Sequence, residues 1–131
     1  MAEKQIQYIY QFKITLKGVR LPIRRRIQVP ESFNFKDLHF AIQTAMGWEN
    51  CYLHHFKMHG ITIRKMRDEV NECKDEAQCL IKDWFKVPKQ KAMYYYDFGE
   101  GLDHAVELEK IEPAQPGESY PKCYVLSESV I

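Results

Sequence analysis

The sequence predicts a single α+β domain, in which a mixed β-sheet of hairpins packs on one long and one short helix in a β-grasp-like arrangement. Three observations predict it: alternating apolar residues over residues 6–16, a capped helical pattern over residues 35–46, and strands that follow one another as hairpins. A split βαβ ferredoxin-like arrangement is the second choice. The 131 residues fit one domain, spanning residues 1–131, without an internal repeat.

The N-terminal part is predicted to form a hairpin. Even positions over residues 6–16 are all apolar and odd positions are mostly polar, which is typical of a strand with one buried face. Gly18 and Pro22 mark a connection into a second strand over residues 23–29, and Pro30 ends that strand. The two strands are therefore expected to pair antiparallel.

The helix over residues 35–46 carries both of its end signals. Asn34 can accept hydrogen bonds from the first free backbone N–H groups, and Asp37 occupies the N3 position of a capping box. Gly47 is suited to a left-handed stop. The apolar positions follow the spacing of one helical face: Leu38, Ala41, Ile42, Ala45 and Met46.

The rest of the chain alternates strand patterns with turns. His59-Gly60 favours a tight turn between two of the strands, and Pro88 ends the short helix. The predicted elements are strands over residues 52–58, 61–64, 91–96 and 103–111, a short helix over residues 76–85, and irregular segments over residues 68–77 and from residue 112 onward.

Composition excludes several classes of function. The net charge of +1 creates no global attraction for nucleic acid or anionic lipid. A local basic segment over residues 20–26 could contact phosphates, or it could be the solvated start of a strand. No segment has the apolar length of a signal peptide core or a membrane span, so we expect a cytoplasmic protein, monomeric or weakly dimeric, with four free cysteine thiols.

The most informative segment is a glycine corner over residues 94–104, which reads YYYDFGEGLDH. Gly99 and Gly101 permit a sharp turn that would bring Asp97 and Asp103-His104 to one rim of a pocket. His54 lies on the apolar face of its predicted strand, with Phe56 and Met58. If its strand neighbours the strand of His104, the two imidazoles would lie within about one bridging water or ion of each other, on the order of 3 to 7 Å.

This chemistry can be interpreted in more than one way. His54, Asp97 and His104 would form a two-His, one-carboxylate set for a divalent metal such as Zn²⁺ and support a metal-dependent hydrolase. Equally, His54 can be a hydrogen-bonded core residue with no cofactor, and Asp97 can accept turn N–H groups. The carboxylates of the corner, which include Glu100 and Asp103, could instead act as an acid/base pair.

The aromatic content favours a binding module over an enzyme. Seventeen Phe, Tyr and Trp residues exceed what a small core needs, and the run over residues 94–96 must expose at least one ring. Exposed aromatic rings beside Lys or Arg are typical of interaction surfaces. The expected partner is a protein or single-stranded nucleic acid, and not a membrane.

The glycine corner also resembles a family signature, Tyr-Asp-Phe-Gly-Asp-x-Trp-x-His. Similar blocks occur at residues 16–30, 37–48, 53–56 and 120–123. Together they resemble the plasmid pRi ORF-three-like proteins, small proteins also described as insertion-element passengers of the TnpR type. The resemblance implies a link to mobile elements. Leu102 stands where the family pattern has Trp, which implies a roomier or reshaped site.

Overall fold

The computed structural model describes residues 6–20, 23–66, 73–96 and 101–127. Its strands are β1 (Tyr8–Leu16), β2 (Ile23–Pro30), β3 (His54–Met58), β4 (Ile61–Arg64), β5 (Cys73–Asp75), β6 (Lys91–Tyr96), β7 (Leu102–Pro113) and β8 (Lys122–Ser127). Its helices are α1 (Phe35–Met46) and α2 (Ile81–Trp84). Neither of these described helices is both long and apolar enough to cross a membrane.

The strands form one mixed sheet with the order β5-β4-β3-β6-β7-β1-β2-β8. Neighbouring strands pair antiparallel except β4 and β5, which pair parallel. A mixed sheet with two helices fits the predicted α+β class, while the β-grasp-like detail stays a prediction. The predicted β1–β2 hairpin, the helix over residues 35–46 and the turn at His59-Gly60 are confirmed.

Three predicted boundaries were wrong. The irregular segment over residues 68–77 contains β5, and the segment after residue 112 contains β8. Both strands lie at the edges of the sheet, where a short or less apolar sequence suffices. The short helix is one turn, Ile81–Trp84, instead of residues 76–85, because residues 76–80 bond to α1 and to the loop before it.

The core lies between the two helices and one face of the sheet. Phe35 of α1 packs edge-on against Phe56 of β3 with ring centroids 5.1 Å apart, and Phe12 of β1 packs edge-on against Phe85, which follows α2, at 4.8 Å. All four rings are fully buried. The alternation in β1 thus buries Tyr10, Phe12, Ile14 and Leu16 in this core, while Tyr8 at the start of the strand stays exposed.

Arg25 and Arg26 of the predicted basic segment lie on opposite faces of the sheet. Arg25 is buried and donates to the carbonyl of Ala45 near the C-terminus of α1 (3.1 Å). Arg26, on the opposite face, makes a two-bond contact with the Glu109 carboxylate at 2.7 and 3.0 Å, which lowers the pKa of Glu109. Both arginines therefore stabilise the fold, and neither is free for a phosphate surface.

The start of α1 supplies a first testable prediction. Asn34 Oδ1 accepts a hydrogen bond from the Asp37 N–H (2.8 Å), and Asp37 Oδ2 accepts one from the Asn34 N–H (3.1 Å). We expect Asn34→Ala to lower the free energy of unfolding by about 1 kcal/mol, because it removes the cap. Urea denaturation measures this change. Thr44→Ala, at an exposed position of the same helix, should change it by less than about 0.5 kcal/mol.

Candidate functional site

A cavity of about 880 Å³ opens between α1, β3, β4 and the turn after β5, and we call it the His54 cavity. Three elements bring polar groups to it: His39 from α1, His54 from β3, and Glu76 from the turn. The other lining residues are Lys36, Phe40, Asn50, Tyr52, Leu53, His55, Thr62, Arg64, Lys65, Met66, Asp75 and Ala77.

A largely buried histidine–carboxylate pair forms one wall of this cavity. His54 Nε2 lies 2.6 Å from Glu76 Oε1, and the side chains are 11% and 4% exposed. The backbone N–H of Glu76 donates to the carbonyl of Arg64, and its own carbonyl accepts from the N–H of Lys36. The carboxylate is therefore anchored through its main chain to both β4 and α1. A carboxylate can only accept, so Nε2 of His54 carries the proton of this bond.

His39 stacks directly on His54. The two imidazole centroids are 3.5 Å apart, and the planes differ by 9°. His39 itself is fully engaged, with Nδ1 at 2.6 Å from the Tyr94 hydroxyl and Nε2 at 2.8 Å from Asn50 Oδ1. The Tyr94 hydroxyl also accepts from Gln43 Nε2 at 2.8 Å, and Gln43 Oε1 accepts from the backbone N–H of Asn50 at 2.8 Å. This ring of bonds fixes the position of the imidazole.

The bonds also fix the protonation of His39. The Asn50 carbonyl oxygen can only accept, so Nε2 carries the ring proton and Nδ1 accepts from the Tyr94 O–H. Burial and the neighbouring His54 lower the pKa of His39 from 6.5 to about 4, against the opposing influence of Asn50 and Glu76. Burial likewise raises the pKa of the Tyr94 hydroxyl, which keeps it protonated. His39 is therefore a neutral platform under His54 near neutral pH.

The second ring nitrogen of His54 is accessible to solvent. Nδ1 has no hydrogen-bond partner within the described ranges, and no buried side-chain nitrogen or oxygen there is left unpaired. Nδ1 must therefore be in contact with solvent, on a residue that lines the cavity. It can accept a hydrogen bond when His54 is neutral and donate one when His54 is protonated.

The predicted meeting of His54 with His104 was wrong, since β6 lies between β3 and β7. Two strand spacings of about 4.8 Å separate the two strands. The Tyr94 ring of β6 lies between the two imidazoles, with its centroid 6.1 Å from that of His54 and 5.3 Å from that of His104. His104 Nε2 accepts from Trp48 Nε1 at 3.1 Å, and Nδ1 lies 3.3 Å from the carbonyl of Tyr94. Burial lowers the pKa of His104. It is a satisfied core histidine.

The predicted rim of the glycine corner falls only partly within the described residues. Asp97, Gly99 and Glu100 lie outside the described residues. Gly101 turns the chain with φ of 66°, as predicted from its freedom to adopt a positive φ. Asp103 pairs with Tyr95 and points to the face of the sheet opposite to His104, because successive strand residues alternate. Within the described residues, no group of three or more His, Cys, Asp or Glu side chains is arranged to hold a metal ion.

Sequence reasoning missed three members of the site. His39 and Gln43 are four residues apart on the apolar face of α1. Two polar residues at buried positions of one helix face could have indicated an internal hydrogen-bond network. Glu76 gave none, because it lies in a charged stretch without periodicity. Its partner, His54, was found, but with the wrong neighbours.

Comparisons with known proteins agree with the sequence blocks. A family model described as plasmid pRiA4b ORF-3-like protein matches residues 8–129. The chain is 30% identical over 108 residues to the uncharacterized protein y4hQ of Sinorhizobium fredii (strain NBRC 101917 / NGR234), a match covering 81% of this chain and 56% of that protein. It therefore spans just over half the length of that curated relative. The crystal structure of MM3350, a protein of unknown function from Methanosarcina mazei Go1, matches with 38% identity and a TM-score of 0.84, over 93% of this chain and 71% of the other.

Proposed function

We propose that this chain, which belongs to the plasmid pRiA4b ORF-3-like family, is a binding module whose ligand occupies the His54 cavity. One observation carries the proposal: a polar wall that is fixed by hydrogen bonds stands beside exposed apolar side chains. The wall consists of the stacked pair His39 and His54 with Glu76. Ligand sites combine a few oriented polar groups with apolar surface in this way.

The apolar part of the cavity is unusually exposed. Phe40 is 46% exposed, Tyr52 58% and Leu53 49%, and all three line the same opening. Apolar side chains gathered around one concavity, rather than scattered singly, are characteristic of interaction sites. A ligand would cover these groups and reach His54 Nδ1 at the wall.

A catalytic role is the second candidate, and the His54–Glu76 pair favours it. A histidine oriented by a buried carboxylate can accept a proton from a bound water or hydroxyl group. A divalent metal shared by His54 and His104 does not fit the described strands, because β6 lies between β3 and β7 and the Trp48 indole N–H already occupies the lone pair of His104 Nε2. For this reason we place binding first and a metal-dependent hydrolase second.

The proposal is tested by measuring whether small molecules enter the cavity. We expect some members of a panel of amino acids, dicarboxylic acids, sugar phosphates and nucleotides to shift the backbone amide NMR signals of Asn50, Thr62 and Ala77. Ala77→Trp should abolish these shifts, because Ala77 is an exposed lining residue and a larger side chain fills the opening. Val87→Trp, at an exposed position outside the lining, should leave them intact.

Two results contradict the proposal. One is a panel that leaves all cavity amides unmoved, and the other is a set of shifts that Ala77→Trp does not change. Metal analysis of protein prepared without chelators separates the two candidates, because stoichiometric Zn, Mn or Fe would place the hydrolase first.

The setting of this module is also a proposal. A cytoplasmic protein, monomeric or weakly dimeric, with a protein or nucleic acid partner agrees with the composition. A regulatory role linked to mobile elements is supported by the family description, which names a plasmid, and does not depend on the geometry of the site.

A further inference from the structure

The cationic side chains of the His54 cavity form no ion pair with a carboxylate of the described ranges. Lys36, Arg64 and Lys65 line the opening, and none of them has an acidic partner within 4.0 Å among the described residues. Arg64 Nε donates a hydrogen bond to Cys73 Sγ at 3.4 Å, and sulfur is a weak acceptor. No residue in the described part of the chain accepts from its other donors, which can therefore contact an anion.

The two carboxylates of the lining face protein groups instead. Glu76 contacts His54, and the Asp75 carboxylate accepts from the backbone N–H of Ala77 at 3.0 Å. The described lining holds three cationic side chains and two carboxylates, so it carries an excess of one positive charge when its histidines are neutral. Because both carboxylates are engaged by protein groups while the cations are not, the groups left to contact a ligand favour an anion.

Flat apolar surface lies beside these cations. The Tyr52 ring is held edge-on against Tyr96 at 5.8 Å, which leaves it exposed at the opening. Phe40, on α1, also lines the opening, with its ring centroid 5.0 Å from that of His39. Exposed aromatic rings next to cationic side chains bind nucleobases by stacking while the cations hold the phosphates.

We propose that the ligand of the His54 cavity is a nucleotide unit, with its phosphate held by Lys36, Arg64 and Lys65 and its base stacked on Tyr52 or Phe40. His54 Nδ1 then contacts the sugar, base edge or phosphate. The cavity of about 880 Å³ lies within the range of small-molecule sites and is large enough for one such unit. The inference rests on the proposed function, since it names the ligand of the same site.

The test compares three probes: inorganic phosphate, a mononucleotide such as UMP, and a labelled oligo-dT single strand. We expect UMP or oligo-dT to bind, with affinity falling as salt is added. The triple variant Lys36→Ala, Arg64→Ala, Lys65→Ala should weaken binding at least about tenfold, as expected for loss of charge-assisted contacts. Tyr52→Ala should weaken it by about fivefold or more through lost stacking. Lys82→Ala with Lys86→Ala, at exposed positions outside the cavity, is the matched control and should not change affinity.

The outcomes divide clearly. Equal affinity for UMP and oligo-dT supports a free nucleotide, and affinity that rises with strand length supports nucleic acid. Phosphate binding as tightly as UMP, or a triple variant with unchanged affinity, overturns the inference. So does the absence of binding by both nucleotide probes. If other members of the panel still shift the cavity amides in that case, the binding module stands and only its ligand class is wrong. If the triple variant is misfolded by circular dichroism, Lys65→Ala alone, at an exposed position, decides the phosphate contact.

Discussion

Acidification from about pH 7.5 to about pH 4.5 is expected to lower the free energy of unfolding by about 2 kcal/mol through His39 alone. The pKa of this imidazole is about 4 in the folded protein and 6.5 as the ordinary value. The gap corresponds to about 3 kcal/mol when it is fully titrated. Between these two values the unfolded chain binds the proton and the folded chain does not, so stability is complete above pH 6.5 and is lost as the pH falls towards 4.

The structure gives a physical reason for this large effect. A proton on Nδ1 of His39 would displace the Tyr94 O–H from its acceptor and place a charge 3.5 Å from the stacked ring of His54. Burial also lowers the pKa of His104. On acidification the protein should therefore lose more free energy of unfolding than His39 alone contributes.

Urea denaturation of wild type and variants at the two pH values measures the contribution of His39 to the pH dependence of the free energy of unfolding. His39→Gln should reduce the pH dependence by about 2 kcal/mol, while His59→Gln, at an exposed histidine, should leave it as in the wild type. A direct NMR titration of the His39 ring provides an independent check. A midpoint near 6.5 would contradict both the pKa and the role of His39 as a neutral platform.

Local signals in the sequence predicted the fold well where one face of an element is buried. The alternation in β1 and the cap, spacing and stop of α1 each act within a few residues, so the pattern alone identifies them. Edge strands carry less of this information. β5 and β8 pair on one side only, and their short or exposed sequences do not alternate as those of central strands do.

The site was harder to predict because it depends on the order of the strands. The sequence singled out both His54 and His104 and placed His54 on the inner face, where the structure has both of them. Their separation depends on β6 inserting between β3 and β7, a long-range pairing that alternation does not encode. The turn after β5 brings Glu76 to His54, and no local sequence pattern predicts this contact.

The second large effect is expected from Tyr94→Phe, which removes one oxygen from a fully buried side chain. We expect this change to lower the free energy of unfolding by about 2 to 4 kcal/mol, because it leaves two buried polar groups without a partner. These are Nδ1 of His39, which lies 2.6 Å from the hydroxyl, and the amide of Gln43, which donates to it at 2.8 Å. Urea denaturation near neutral pH measures the change.

Tyr95→Phe is the matched control, since it removes the same atom from the adjacent residue on the opposite face of the sheet, where the side chain is only half-buried. It should change stability by less than about 0.5 kcal/mol. If Tyr94→Phe were equally mild, the hydroxyl would not hold His39, and the rigid wall of the His54 cavity would lose its support. If instead the expected loss is found, the same variant should also weaken binding of any ligand that contacts His54. The imidazole of His39, which stacks on His54, would then be free to move. A ligand that contacts His54 would have to order both rings on binding, and this lost entropy lowers its affinity.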